Sequence, residues 1–209
     1  MADTPRRRPY VYVTWITKLL SGESSCWWAA WYKSTHKYEK RPDDGFDSVG
    51  WNKKHDALTD AREAELIADG WVTRKEDAAE FTLKGAGADL AGKPDLVGLK
   101  DGTALVIDAK SGKPKKADHW QVLIYMFALP MSWLKSHTLV GEVVRPDGIR
   151  EDVRPITAAE REQIIAAVRK VTAKEPPAPD PGPRECRFCD ILHCPTRYVK
   201  PEGDARGMW

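Results

Sequence analysis

Residues 92–110, GKPDLVGLKDGTALVIDAK, constrain the fold more than any other stretch. Two apolar runs hinge on Asp101-Gly102, a dipeptide suited to a two-residue type I′ turn because both central residues of that turn need positive φ. With this turn Lys100 pairs with Thr103, and stepping outward one residue at a time sets Asp95 opposite Asp108. Side chains alternate along a strand, so Val106, Asp108 and Lys110 share a face with Asp95 and Val97, while Leu105, Ile107 and Ala109 face the other way. Directly opposed Cβ atoms lie ~5 Å apart, and two carboxylates at that distance repel. Something positive has to sit between or beside them: Lys110, or a divalent cation such as Mg²⁺ or Mn²⁺ held by both acids. The competing geometry is a longer or bulged turn that keeps the acids apart.

The segments flanking this hairpin alternate between helical and strand-like patterns, an α/β (α+β) order. Thr14 is placed to cap a helix reaching Leu20, and Ser25 a second helix over CWWAAWYKSTHKY. A polar loop at Pro42–Gly45 precedes a helix from Ser48 to Asp69 that Gly70 ends. Strands are expected over Trp71–Arg74, Ala79–Lys84, Ala88–Leu99 and Thr103–Lys110, then a helix over Ala117–Leu129 stopped by Pro130. His137–Arg145 and Ile149–Ile156 form a hairpin about Pro146-Asp147-Gly148. Thr157 and Glu160 form a capping box opening a helix with Ile164, Val168 and Val171 on one stripe. The proline-rich 175–184, EPPAPDPGPR, reads as a stiff linker.

A chain of 209 residues suffices for one substantial core but not for two catalytic domains. No apolar run approaches the ~18 residues of a membrane span, and Thr14, Thr17 and Lys18 break the segment after Arg6–Arg8, so an unexported, cytoplasmic protein without a membrane partner is expected. The net charge of +2 hides an uneven distribution: residues 1–41 carry 8 basic and 3 acidic groups, 42–95 carry 7 and 13, and 96–135 carry 6 and 3. Two basic segments flanking an acidic one suit a surface where phosphates and metal ions meet; charge alone fits ordinary solvated faces equally well.

In an unexported chain, the four cysteines point to metal or cluster ligation rather than disulfides. Cys186, Cys189 and Cys194 cluster in CRFCDILHCP, and Cys26 lies far upstream. Spacing alone also permits zinc, held by those three with Cys26 or His193. Gln121 and Tyr125 stand four apart on one helical face, which otherwise reads as the buried stripe of an amphipathic helix, and His55 otherwise reads as a partly exposed helical histidine.

Jointly, Pro94-Asp95, Asp108-Ala109-Lys110, Gln121-x-x-x-Tyr125, an upstream His55 preceded by Gly50, and one N-terminal with three C-terminal cysteines resemble the PD-(D/E)xK nuclease superfamily. Within it they resemble the RecB-like iron-sulfur branch that includes the CRISPR-associated exonucleases. The chain departs from that branch in having Asp108 where Glu is more usual, and His36 is the fallback for His55.

The resemblance implies a restriction-endonuclease-like core, a mixed central sheet flanked by helices, with an iron-sulfur lobe joining the N-terminal helix to the C-terminal tail. It divides the chain into an N-terminal helical segment (1–46), a nuclease core (47–174) and a linker with the cysteine segment (175–209). His55, Asp95, Asp108 and the Ala109 carbonyl would hold one or two Mn²⁺ or Mg²⁺ ions, Lys110 would act on the attacking water or the phosphate, and Gln121 and Tyr125 would support the site or touch DNA. Cys26, Cys186, Cys189 and Cys194 would hold a [4Fe-4S] cluster. Implied partners are DNA, single-stranded or with frayed ends, and a CRISPR adaptation or recombination complex. The basic Lys113, Lys115 and Lys116, with Arg6–Arg8, are candidates for tracking the phosphates. The implied activity is an exonuclease; an endonuclease of the same fold and a non-catalytic DNA-binding subunit with structural zinc are the alternatives.

Overall fold

In the computed structural model, which describes residues 3–42 and 47–198, Asp101 and Gly102 adopt φ of 46° and 76°, the two positive values a type I′ turn requires. The strands on either side pair in the expected register, from Lys100↔Thr103 to Leu96↔Ile107.

The elements in chain order are β1 (Thr4–Pro5), β2 (Tyr10–Tyr12), α1 (Val13–Leu20), α2 (Trp27–Thr35), β3 (His36–Lys37), α3 (Ser48–Ala68), β4 (Val72–Lys75), β5 (Phe81–Lys84), β6 (Asp89–Gly92), β7 (Leu96–Lys100), β8 (Thr103–Ala109), α4 (Lys116–Ala128), β9 (Thr138–Val144), β10 (Arg150–Val153), α5 (Ala158–Val171) and α6 (Pro183–Phe188). A five-stranded sheet runs β10-β9-β8-β7-β4, antiparallel except for the parallel β8–β9 pair; β2-β6-β5 form a second sheet and β1-β3 a third. The fold is thus mixed α/β, with mixed sheets flanked by helices.

Alternation along the central strands separates two apolar layers. Val97, Ala104, Val106 and Val143 pack with Val122, Tyr125 and Met126 of α4, and this layer continues into Val11, Val13, Ile16 and Leu19 of the N-terminal segment. Leu96, Leu105, Ile107 and Val144 pack with Leu66 of α3 on the opposite face. A helix therefore covers each face of the sheet, and the strand ends lie between the two.

Several expectations are corrected. The run Ala88–Leu99 is two strands in two sheets, because Pro94 has no N–H to give a ladder and the chain changes sheets across Lys93-Pro94-Asp95. Tyr10–Tyr12 forms a strand parallel to β6, so α1 starts at Val13 with no side-chain cap and Thr14 lies inside it. Cys26, not Ser25, precedes α2, and that helix stops at Thr35 because His36–Lys37 pair with Thr4–Pro5. The strand expected over Ala79–Lys84 is shortened to Phe81–Lys84 by a 3₁₀ turn at Glu76–Ala78. The capping box holds as read, with Thr157 Oγ1 accepting from Glu160 N at 3.2 Å. Gly70 has φ 79° just past α3. The linker carries no helix or strand until α6 opens at Pro183, and the expected loop lies outside the described residues from 43 to 45.

Candidate active site

The ladder between β7 and β8 ends at Leu96↔Ile107, one pair short of Asp95 and Asp108. Asp95 leaves the strand instead, and its Oδ2 accepts from Ala109 N at 2.7 Å and lies 3.0 Å from His55 Nε2. His55 comes from α3 and Asp108 faces α4, so the site forms where elements from both faces of the sheet meet at the strand ends.

Asp108 is fully buried. Its Oδ1 accepts from Gln121 Nε2 at 2.8 Å, and its Oδ2 lies 2.5 Å from Lys110 Nζ in an ionic contact, with no well-directed hydrogen bond to that oxygen. Lys110 Nζ donates to Gln121 Oε1 at 3.1 Å. Gln121 Nε2 also reaches Tyr125 OH at 2.8 Å, and Tyr125 OH donates to Lys93 O at 3.1 Å. Burial pushes the Asp108 carboxyl up to about 7; Lys110 opposes the shift and Asp95 adds to it. Burial also holds the Tyr125 hydroxyl well above its ordinary value. Lys110 stays above the ordinary lysine value because Asp108 outweighs the cost of desolvation. The hydrogen bond to Asp95 raises the His55 imidazole, against an opposing contribution from burial.

All six side chains and the Ala109 amide therefore sit in one neighbourhood. Lys113, Lys115 and Lys116 are exposed on the loop and first helical residue just beyond Lys110. The fallback His36 is elsewhere, stacked on Tyr32 with ring centroids 4.5 Å apart.

The donors suit a hard divalent ion in kind: two carboxylates, one with a buried oxygen held only by the ionic contact with Lys110, and an imidazole. The 3.0 Å between His55 Nε2 and Asp95 Oδ2 is about the separation of adjacent octahedral ligands at ~2.1 Å. Among the described residues, however, no three His, Cys, Asp or Glu groups already converge on a common metal position. An ion would have to replace the proton shared by His55 and Asp95 and compete with Lys110 for Asp108.

The same observation applies to the cysteines, all four of which are free thiols. The C-terminal segment nevertheless docks on the N-terminal one. Ser25 N donates to Glu185 Oε1 at 2.7 Å, Tyr38 OH to Asp190 Oδ2 at 2.8 Å, and Arg41 N to Asp190 O at 2.8 Å. Burial pushes the Cys26 thiol up, and nearby Glu185 and Cys189 contribute in the same direction. Cys186 is buried and its Sγ accepts from Tyr198 N at 3.2 Å.

Two buried ionic groups escaped the sequence reading. Arg62 of α3 forks onto Glu142 of β9, with Nε–Oε1 2.7 Å and Nη2–Oε2 3.1 Å, and so ties the helix bearing His55 to the sheet. The signal was a lone acid inside the apolar run LVGEVV, since a buried carboxylate needs a cation. Beside Lys110, whose N–H donates to Val144 O, Arg145 donates to Asp118 Oδ2 at 3.0 Å and to Glu151, which His119 also contacts. Arg145 and His119 hold the Glu151 carboxyl down at about 2.

Comparison with known proteins adds three findings. The family model described as the PD-(D/E)XK nuclease superfamily matches residues 23–195. A solved protein titled "Crystal structure of SSO0001" superposes with a TM-score of 0.53 at 15% identity, over 94% of this chain and 90% of that one, a likeness of fold. No curated protein matches.

Proposed function

We propose that this chain, which belongs to the PD-(D/E)XK nuclease superfamily, is a deoxyribonuclease that trims single-stranded DNA or frayed ends as an exonuclease. Membership in the superfamily implies the coarser activity, metal-dependent cleavage of DNA, with Mg²⁺ or Mn²⁺ as the usual ions. The observation that supports the assignment to particular residues is the continuous network joining Asp108, Lys110, Gln121 and Tyr125 beside the Asp95–His55 pair.

In this reading His55, Asp95, Asp108 and the Ala109 carbonyl hold the divalent ion. When bound, the ion supplies Lewis acidity, making a water nucleophilic near neutral pH and countering charge on the scissile phosphate. The chain's own groups do the rest. Gln121 holds the Asp108 carboxylate and the Lys110 ammonium in one geometry. Lys110, a quarter exposed, presents its charge to the attacking water and to the phosphate oxygens as they gain charge. Tyr125 props Gln121 from below and is itself anchored on Lys93 O.

We assign Cys26, Cys186, Cys189 and Cys194 to a [4Fe-4S] cluster clamping the N-terminal segment (1–46) to the C-terminal one (175–209) around the nuclease core (47–174). The docking of Glu185 and Asp190 onto the N-terminal segment supports this division. A CRISPR adaptation or a recombination complex is the proposed setting.

The test is cleavage of strands labelled at the 5′ or 3′ end, with Mn²⁺ or Mg²⁺. Wild type should release end-labelled mononucleotides or short fragments, and Asp108→Ala and Lys110→Ala should each lower the rate at least about a hundredfold while remaining folded. Wild-type rates in either variant would refute the residue assignment, and internal fragments from circular single strands would make the enzyme an endonuclease.

A further inference from the structure

A groove of about 660 Å³ lies on the N-terminal segment, bounded by the residues before β2, by α1 and by the strand following α2. Its charges are nearly all positive. Among the described residues that line it, the one acid, Asp89, is held by Arg8 at 2.7 Å. Arg7, Lys37 and Lys40 also line it, are exposed, and form no ion pair among the described residues. Three rings lie half-buried between these cations. Tyr10 and Trp15 meet edge to face at 6.4 Å, Arg6 lies 5.9 Å over the Tyr10 ring, and Tyr38 is pinned by Asp190.

We infer that this groove is a holding site for single-stranded DNA, separate from the cleavage site, in which Arg7, Lys37 and Lys40 contact phosphates and Tyr10, Trp15 and Tyr38 offer faces or edges to unpaired bases. Free cations beside aromatic rings are the combination that binds single strands without regard to sequence. Bases in a duplex are already stacked on one another and cannot reach rings recessed in a groove, so the arrangement favours single over double strands. Position supports it as well. β2 and β6 run parallel from the groove, at Tyr10↔Asp89, and the chain leaves β6 through Lys93-Pro94 to Asp95. Six residues at ~3.3 Å span at most about 20 Å, a distance that a short stretch of unpaired strand can bridge. The inference rests on the nuclease reading only for what the held strand is for.

Binding is measured by fluorescence anisotropy in EDTA, so that it does not depend on cleavage. The triple variant Arg7→Ala, Lys37→Ala, Lys40→Ala should bind a labelled single strand about tenfold more weakly at low salt and lower the slope of log K against log salt by about 2, three phosphates at ~0.7 each. Wild type should bind an abasic strand of the same length about tenfold more weakly than the intact strand, and Trp15→Leu should narrow that gap. An unchanged salt slope in the triple variant, equal binding of the abasic strand, or duplex binding as tight as single-strand binding would each overturn the inference. Cleavage by wild type in Mn²⁺ is scored separately: its absence with groove binding intact refutes the catalytic reading alone, and wild-type cleavage with an unaltered triple variant refutes the groove alone.

Discussion

Gln121 Nε2 donates to the buried Asp108 Oδ1 at 2.8 Å, and the same amide's oxygen accepts from Lys110 Nζ at 3.1 Å. One neutral side chain thereby orients both charged groups of the candidate site. Replacing Gln121 by Leu should leave Asp108 Oδ1 and Lys110 without these partners and cost ~1–3 kcal/mol of stability. Metal-dependent cleavage should fall about tenfold or more, read from single-turnover rates. A Gln121→Leu protein with wild-type rate and melting temperature would show that the network positions nothing.

The metal-free protein should lose stability as pH rises from about 5 to about 7. Asp108 titrates near 7 when folded against an ordinary value of 3.8, so between those values the native chain holds a proton the unfolded chain has lost. Stability then falls with rising pH by up to ~1.4 kcal/mol per unit. His55, also raised, acts in the same direction: its contribution is complete below 6.5 and is lost as pH passes through its folded value. Glu151, held at about 2, loses its contribution only in acid, below this window. Melting curves in EDTA across the window provide the check, and Asp108→Asn should flatten the profile.

Breaking the Arg62–Glu142 fork from one side should be more damaging than removing it whole. Both side chains are buried, so Arg62→Met leaves an unpaired carboxylate and should cost ~3–5 kcal/mol, whereas Arg62→Met with Glu142→Met should recover most of that loss. Urea denaturation of the three proteins decides it. A double variant as unstable as the single would mean that the fork holds α3 by more than charge compensation.

Gly92 has no room for a side chain. A Cβ there would lie 2.8 Å from Val13 and 2.9 Å from Phe81 and Tyr125. Gly92→Ala should destabilise by ~1–3 kcal/mol and, by displacing Tyr125, reduce cleavage as well. A melting temperature equal to wild type would show that these rings give way freely.

Purified without oxygen, the protein should be brown, with about four irons per chain. Cys26→Ser should lose the colour as completely as Cys189→Ser, because one cluster would use both. Metal analysis showing one zinc and no iron would replace the cluster by a structural zinc site and leave the nuclease assignment standing.

By itself the sequence determined the central hairpin and its register, because Asp101-Gly102 admits few turns and alternation assigns each side chain to a face. It also determined the capping box at Thr157, the α/β order, and the placing of Asp108 with Lys110 on one strand face and of Gln121 with Tyr125 on one helix face; that the two pairs form one site was implied by the family resemblance, and the packing of α4 on β8 brings them into contact. Only the tertiary structure decided that Asp95 leaves the ladder to accept the Ala109 amide and meet His55, since α3 lies on the face of the sheet opposite α4 and no local periodicity places one helix against another. The same holds for Tyr10–Tyr12, which reads as a short apolar run until a parallel partner 79 residues downstream makes it a strand. Parallel pairing joins residues with no shared turn, so nothing in the adjacent sequence specifies it. The groove at Arg7, Lys37 and Lys40 arises likewise from two distant basic segments that β1–β3 pairing draws together.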